Sequence, residues 1–170
     1  MSEEIRIYVA CLAAYNSGYL HGVWIDVTAD IDDIQDQINS MLESSPVDDA
    51  EECAIHDFEG YGSYRLLEYE GIESAHEVAC FIEEYGEIAA ELISHFSSID
   101  EAKKAMEEKY AGCHESVADF AEELTTDTTV IPESLAFYID YEKMARDLEL
   151  GGDIFTLETG YREVHIFWNH

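Results

Sequence analysis

Negative charge constrains this chain more than any other feature of its sequence. It has 39 aspartates and glutamates against eight lysines and arginines, which gives a net charge of -31. Between Ile7 and Glu101, Arg65 is the only lysine or arginine. Like charges at this density oppose compaction, attract basic protein surfaces and repel nucleic acid and anionic lipid. The sequence therefore predicts a protein partner with a basic binding surface, and no binding to nucleic acid or membrane.

The composition also predicts a folded protein. Hydrophobic residues make up 47% of the chain and aromatic residues 12%, whereas disordered acidic segments are poor in aromatic residues. The cysteines are far apart and form no Cys-x-x-Cys pair, and the amino terminus lacks the basic and apolar regions of a signal peptide. We therefore expect a soluble cytoplasmic protein with reduced thiols.

The first sixty residues have the pattern of a small α+β unit. Residues 5–10 and 22–27 are predicted to pair as antiparallel strands, and residues 53–58 to return as a third strand. Between them, apolar residues recur at helical spacing and predict a helix over residues 31–42. Aspartates crowd the first turns of that helix, where the helix dipole favours negative charge.

Helical periodicity dominates the middle and much of the last part of the chain. Ser74 and Ser98 each begin a capping-box sequence that predicts a helix start, and the second of these helices is expected to end near Gly112. A further helix is predicted from Val117 onward, and another from Pro132 to about residue 148. Residues 154–158 and 164–168 are predicted to close the chain as a hairpin. The fold class is therefore α+β, with sheets at both ends and helices between them.

Motifs for catalysis or metal binding are incomplete. His76-Glu77 and His114-Glu115 resemble the start of a zinc-protease helix, but the second histidine that such a helix needs is absent in both places. His95, Cys113 and His114 are candidate zinc ligands, although scattered histidines are more often surface or core groups. We therefore expect no catalytic residues, no metal and no cofactor.

Acidic residues at helical spacing suggest a use for the charge. Glu83, Glu87 and Glu91 lie four residues apart, and like charges at this spacing cost a helix about 0.2–0.5 kcal/mol per pair. One such row carries a charge about every 6 Å, whereas duplex DNA carries one about every 1.7 Å of its axis. Several rows together approach the duplex value. An ordinary solvated face and adaptation to high salt are the alternative explanations.

Several stretches of the sequence resemble the ArdA antirestriction family, and the similarity runs from about residue 5 to the end. The stretches are residues 7–18, 22–24, 52–59, 95–99 and 134–148. Residues 117–125 resemble the short acidic antirestriction motif of that family. Relatives continue this motif as Glu-Glu-Thr-Gly, whereas this chain has Glu122-Glu123-Leu124-Thr125 and lacks the glycine, so we expect its helix to end differently.

The resemblance implies a bacterial protein carried on mobile DNA. Such a protein imitates bent B-form DNA and occupies the DNA-binding groove of type I restriction-modification enzymes, without a reaction of its own. The resemblance also implies an elongated homodimer of three-part chains joined near the carboxy-terminal part, which we place at residues 1–60, 61–102 and 103–170.

Two sets of residues are predicted to carry this function. The carboxylates expected to imitate DNA phosphates are Asp32, Asp33, Asp36, Glu68, Glu70, Glu73, Glu77, Glu83, Glu84, Glu87, Glu91, Asp119, Glu122 and Glu123. The residues expected at the dimer interface are Val117, Phe120 and Phe137, of which Val117 and Phe120 equally suit a core. An acidic adaptor or chaperone for another basic DNA-binding protein, and a metal-dependent hydrolase, remain as alternative functions.

Overall fold

A computed structural model describes residues 4–67 and 70–169 of the chain. The fold is α+β, as predicted, and the chain divides into two compact units, residues 1–90 and 91–170. The finer division into three parts stays a prediction. Within the described residues, no helix is long and apolar enough to cross a membrane.

The first unit contains a three-stranded antiparallel sheet and helices. In chain order its elements are β1 (Arg6–Cys11), α1 (Leu12–Asn16), β2 (Gly22–Asp26), α2 (Ile31–Glu43), β3 (Cys53–Glu59) and α3 (Ile72–Tyr85). The strand order is β2-β1-β3, with β1 antiparallel to both neighbours. The predicted strands and the helix over residues 31–42 are therefore confirmed, while α1 is a short helix that the sequence pattern did not indicate.

Alternation along β1 places Ile7 and Val9 on one face of this sheet. Ile7 and Val9 are fully buried, and so are Ile34 and Ile38 on the inner side of α2, which contacts β1 and β2. Burial of this apolar surface is the main force that holds the unit together. The outer side of α2 is thereby left to its carboxylates.

The start predicted for α3 is wrong. Gly71, not Ser74, is the N-cap, and the amide of Ala75 already donates to the carbonyl of Gly71 at 3.0 Å. Ser74 therefore lies inside the first turn. The helix ends at Tyr85, because Gly86 adopts φ 79° and ψ −153°, a conformation that favours glycine. The chain then enters α4 (Glu87–Phe96).

The second unit pairs a carboxy-terminal hairpin with a third strand. Its elements after α4 are α5 (Ile99–Glu108), β4 (Tyr110–His114), α6 (Val117–Thr128), a 3-10 helix (Glu133–Tyr138), α7 (Tyr141–Leu150), β5 (Ile154–Gly160) and β6 (Glu163–Trp168). The antiparallel sheet has the order β4-β6-β5. The predicted hairpin and the predicted cap at Ser98 are present, and Ser116 caps α6. Phe120, Ile154, Val164 and Ile166 form the core.

Two predictions in this unit are wrong. The helix expected to run to about Gly112 ends at Glu108, and the chain continues as β4, which pairs with β6 more than fifty residues later. The single helix expected from Pro132 to about residue 148 is two elements. Ile139 is extended, and the Asp140 carboxylate accepts a hydrogen bond from the Lys143 amide at 3.0 Å, which begins α7. An N-cap of this kind starts a new helix.

Tyr61 provides a test of the first unit's core. Its side chain is 1% exposed, and its hydroxyl donates to the backbone carbonyl of Ala75 at 2.8 Å. Tyr61→Phe removes this hydrogen bond and keeps the ring, so we expect the free energy of unfolding to fall by about 0.5–1.5 kcal/mol. Urea denaturation measures the change. Tyr161→Phe, at a position that is 88% exposed, is the control, and an equal effect in both variants would contradict the role of Tyr61.

Candidate functional site

The candidate site consists of acidic helix surfaces, which each of the two units carries. On α2, Asp32, Asp33 and Asp36 are exposed, while Ile34 and Ile38 face the core. The sequence folds this way because its apolar residues recur at helical spacing and leave the intervening positions to water. Asp32 and Asp36 lie one turn apart and point to the same side. The predicted carboxylates of α2 are therefore all at the surface.

The helices α3 and α4 carry the next group. Glu73, Glu83 and Glu84 are exposed on α3, and Glu77 is half-buried. Glu87 is exposed on α4 and Glu91 is half-buried.

The continuous row of Glu83, Glu87 and Glu91 that the sequence suggested is not present on one helix. Gly86 ends α3 between Glu83 and Glu87, so only Glu87 and Glu91 keep the one-turn spacing, both on α4. The cost expected for like charges one turn apart therefore applies to Glu87 with Glu91 and to Glu73 with Glu77.

On α6 the carboxylates surround the outer side of the helix. Asp119, Glu122 and Glu123 are exposed, whereas Phe120 and Ala121 are buried on the opposite side. The Glu123 carboxylate lies 3.4 Å from Nδ1 of His114. The helix continues through Leu124 and ends at Thr128, three residues beyond the motif that resembles the antirestriction segment. That this end differs from the end of the same helix in relatives stays a prediction.

Glu70 differs from the other predicted carboxylates. It is half-buried, accepts a hydrogen bond from the Tyr64 hydroxyl at 2.9 Å, and has a second, buried oxygen without a hydrogen-bond partner. Burial raises the pKa of its carboxyl, and the bond from Tyr64 only partly offsets this. Burial and the same bond raise the pKa of Tyr64 to about 12. Glu70 is therefore less suited than the exposed acids to binding a partner. Glu68 lies outside the described residues.

The charge at the surface is only slightly neutralised within the chain. No charged side chain is buried within residues 4–67 and 70–169. Arg6 pairs with Glu59 on the first sheet, and Arg162 lies 3.7 Å from Glu115. With eight basic residues against 39 acidic ones, most carboxylates cannot be paired internally. The surface potential is therefore strongly negative, and a basic partner is attracted to it over about a Debye length.

The three residues predicted at a dimer interface lie in different surroundings. Phe120 is 5% exposed in the core of the second unit, and Val117 packs against the same core. Phe137, in the 3-10 helix, is 96% exposed. Of the three side chains, only that of Phe137 is largely accessible to a partner.

An exposed apolar segment around Phe137 was not recognised from the sequence. Val130, Leu135 and Tyr138 are also exposed, whereas the sequence predicts that residues from Pro132 onward belong to one helix ending near residue 148. The available signal was the absence of a helical period between Val130 and Ile139. We name residues 130–138 the apolar segment.

The side chains considered for metal binding or catalysis have separate surroundings. His76 lies 2.8 Å from the Val27 carbonyl, His95 stacks on Phe155, and His114 pairs with Glu123. Cys113 is an exposed free thiol. In the part of the chain that the structure describes, no group of three or more histidine, cysteine or acidic side chains is placed to hold a metal ion.

The pKa of Glu70 gives a pH test. Because its folded-state pKa is raised, ionised Glu70 opposes folding above that pKa, and the penalty disappears below the unfolded-state pKa, where both states are protonated. We expect Glu70→Gln to raise the free energy of unfolding at pH 7 and to match the unsubstituted chain at acid pH. Urea denaturation across pH measures both. Glu73→Gln, on the exposed side of α3, controls for general relief of repulsion, and an equal gain in both variants would contradict the assignment.

Comparison with known proteins yields one family. The model described as antirestriction protein (ArdA) matches residues 7–163. This range contains the whole of α2, α3, α4 and α6, the helices that carry the candidate site, and the apolar segment. No curated protein matches the chain.

Proposed function

Because this chain belongs to the ArdA family of antirestriction proteins, we propose that it protects DNA by imitating the B-form duplex. The resemblance predicted from the sequence is thereby confirmed, and the chain is an antirestriction protein. In the proposed mechanism it occupies the DNA-binding groove of a type I restriction-modification enzyme, in the cytoplasm. The groove is then closed to DNA. This inhibition needs no reaction, cofactor or metal.

One observation supports this mechanism most strongly: carboxylates cover the outer sides of α2, α3 and α6 while the inner sides are apolar. A groove that binds DNA holds phosphates with lysine and arginine, and phosphate contacts dominate the affinity. Carboxylates accept the same charge-assisted hydrogen bonds from arginine and lysine as phosphates do. The acidic helices therefore offer such a groove carboxylates that can replace the phosphates it binds in DNA.

The amount of charge is sufficient for a footprint of useful length. At about one charge per 1.7 Å of duplex axis, a net charge of -31 corresponds to about 53 Å, or roughly 15 base pairs, as an upper limit per chain. Two chains double this length. We propose that a homodimer forms, and that its subunits meet through the apolar segment, since exposed apolar patches mark interaction sites.

Neutralising one group of carboxylates tests the proposed mimicry. One variant combines the substitutions Glu83→Gln, Glu84→Gln, Glu87→Gln and Glu91→Gln. Each lost contact is expected to cost about 0.5 kcal/mol. The affinity of this variant for a type I methyltransferase core is therefore expected to fall roughly 30-fold. Competition with labelled duplex DNA for the core measures this affinity.

The matched control removes the same charge from a loop. Asp48, Asp49, Glu51 and Glu52 are all exposed between α2 and β3, and changing them to asparagine and glutamine is expected to alter the affinity severalfold less. Equal losses in the two variants would show that bulk charge, not a surface that imitates DNA, governs binding. Capture of a different basic protein without competition for the core would favour the acidic adaptor.

The salt concentration gives an independent test. Both the enzyme's binding to DNA and its proposed binding to this chain depend on phosphate-like charges, so the affinity of the chain for the core should fall as salt rises. Titrations of the chain into the core between low and physiological salt measure the slope. An affinity that stays constant would contradict an electrostatic mechanism, and stability that rises up to molar salt without any basic partner would favour adaptation to high salt.

The proposed dimer is tested by two substitutions with different expected effects. Phe137→Ser removes an exposed apolar side chain and is expected to shift sedimentation from dimer to monomer at unchanged unfolding free energy of the isolated chain. Phe120→Ala removes a core side chain and is expected to lower the unfolding free energy by about 3–5 kcal/mol. Tyr161→Ser, which changes an 88% exposed residue in the last hairpin, is the control. A dimer that Phe137→Ser leaves intact would contradict the assignment.

A further inference from the structure

Two cysteines lie directly opposite each other in the first sheet. Cys11 is the last residue of β1 and Cys53 the first of β3, and they are partners in the antiparallel register. Side chains of directly opposed residues lie on the same face of a sheet. The thiols of Cys11 and Cys53 therefore project to the same side of the β1–β3 ladder. Both are free.

The backbone hydrogen bonds of Cys11 and Leu12 show which kind of cross-strand pair Cys11 and Cys53 form. The Leu12 amide donates to the Glu52 carbonyl at 3.0 Å, which makes the neighbouring positions a hydrogen-bonded pair. The Cys11 amide donates in the other direction, to the His21 carbonyl at 2.9 Å. Cys11 and Cys53 therefore form a non-hydrogen-bonded pair, in which Cα atoms are about 4.5 Å apart. This spacing lies within the range of about 4.4–6.8 Å that disulfides require.

The two thiols differ in accessibility. Cys11 is fully buried, accepts from the Ala14 amide at 3.5 Å and has its sulfur 3.4 Å from the Ser45 hydroxyl. Cys53 is half-buried. Burial, and then the neighbouring Cys11, raise the pKa of the Cys53 thiol, so its reactive thiolate is scarce at neutral pH. A dissolved disulfide therefore reaches Cys53 first and reacts with it slowly. The buried Cys11 thiol is the one that can react with Cys53 afterwards.

We propose that Cys11 and Cys53 form a thiol–disulfide exchange site that takes a low-molecular-weight disulfide as oxidant and closes a cross-strand disulfide. The Cys53 thiolate attacks the disulfide, forming a mixed disulfide and releasing one small thiolate. The Cys11 thiolate then attacks the Cys53 sulfur and releases the second. The two protein thiols are oxidised, the small disulfide is reduced, and the two protein protons pass to the two small thiols released.

Closure of this bond would connect the two ends of a long segment. Residues 11 and 53 enclose α1, β2 and α2, and α2 carries Asp32, Asp33 and Asp36. A crosslink across a loop of this length reduces the entropy of the unfolded chain. We therefore expect the oxidised first unit to resist unfolding more than the reduced one. This site does not depend on the proposed antirestriction mechanism.

The test uses the full chain with glutathione disulfide as the probe. In a chain with Cys80→Ser and Cys113→Ser, we expect exposure to excess probe to remove both remaining thiols, lower the intact mass by two hydrogens and leave no bound glutathione. Peptide mapping of the unsubstituted chain without reductant should recover the Cys11–Cys53 linked peptide. The urea midpoint should rise on oxidation and return with dithiothreitol.

Removing the second thiol provides the decisive comparison. Adding Cys11→Ser to the same chain should leave a stable glutathione adduct on Cys53, because no resolving thiol remains, and Cys11→Ala serves if the serine variant does not fold by circular dichroism. A persistent adduct in the chain that retains both cysteines would overturn the proposal. So would two unreacted thiols, or linked peptides that join other cysteine pairs.

Discussion

Mutual repulsion among carboxylates is the constraint on which the arrangement of this molecule depends. Two unit charges about 6 Å apart in water still repel by about 0.7 kcal/mol, and the chain carries a net charge of -31. Repulsion of this size can be tolerated only if the charges remain hydrated, and among the described residues no charged side chain is buried. Folding therefore relies on apolar burial along the inner sides of α2, α3 and α6, with the acids on the outer sides. The same separation that makes the fold possible produces the surface proposed to bind a basic groove.

Local signals predicted the elements that are defined locally. The aliphatic period of α2, the cap at Ser98 and the closing hairpin were all predicted from the sequence, because each depends on residues a few positions apart. The strand β4 was missed because it is short and its partner β6 lies more than fifty residues away. The long helix predicted from Pro132 failed for a different reason. That prediction rested on Pro132 as a first-turn residue, whereas the Asp140 cap shows that a new helix begins at Tyr141.

The candidate site was predictable in kind but not residue by residue. Composition is enough to indicate an acidic surface, and exposed positions of amphipathic helices such as Asp36 and Glu122 follow from the pattern. The sequence alone could not distinguish Glu70 from the exposed acids near it, because its half-buried state depends on Tyr64 and on the packing around Tyr61. The predicted acidic row through Glu83 and Glu87 was wrong, because residue spacing alone does not show that the helix ends before Gly86. Phe120 and Phe137 are equally aromatic in sequence, yet tertiary packing buries one and exposes the other.

The apolar segment relates the proposed dimer to the same electrostatic constraint. Two chains of this charge repel each other at long range, so association requires a contact where apolar burial exceeds the local repulsion. Between Thr128 and Ile139 the sequence contains a single acid, Glu133, whereas Val130, Phe137 and Tyr138 are almost fully exposed. Salt screens the repulsion but leaves apolar burial in place. Added salt should therefore weaken binding to a basic groove while it strengthens pairing of the chains, which separates the two proposed surfaces by the sign of their response.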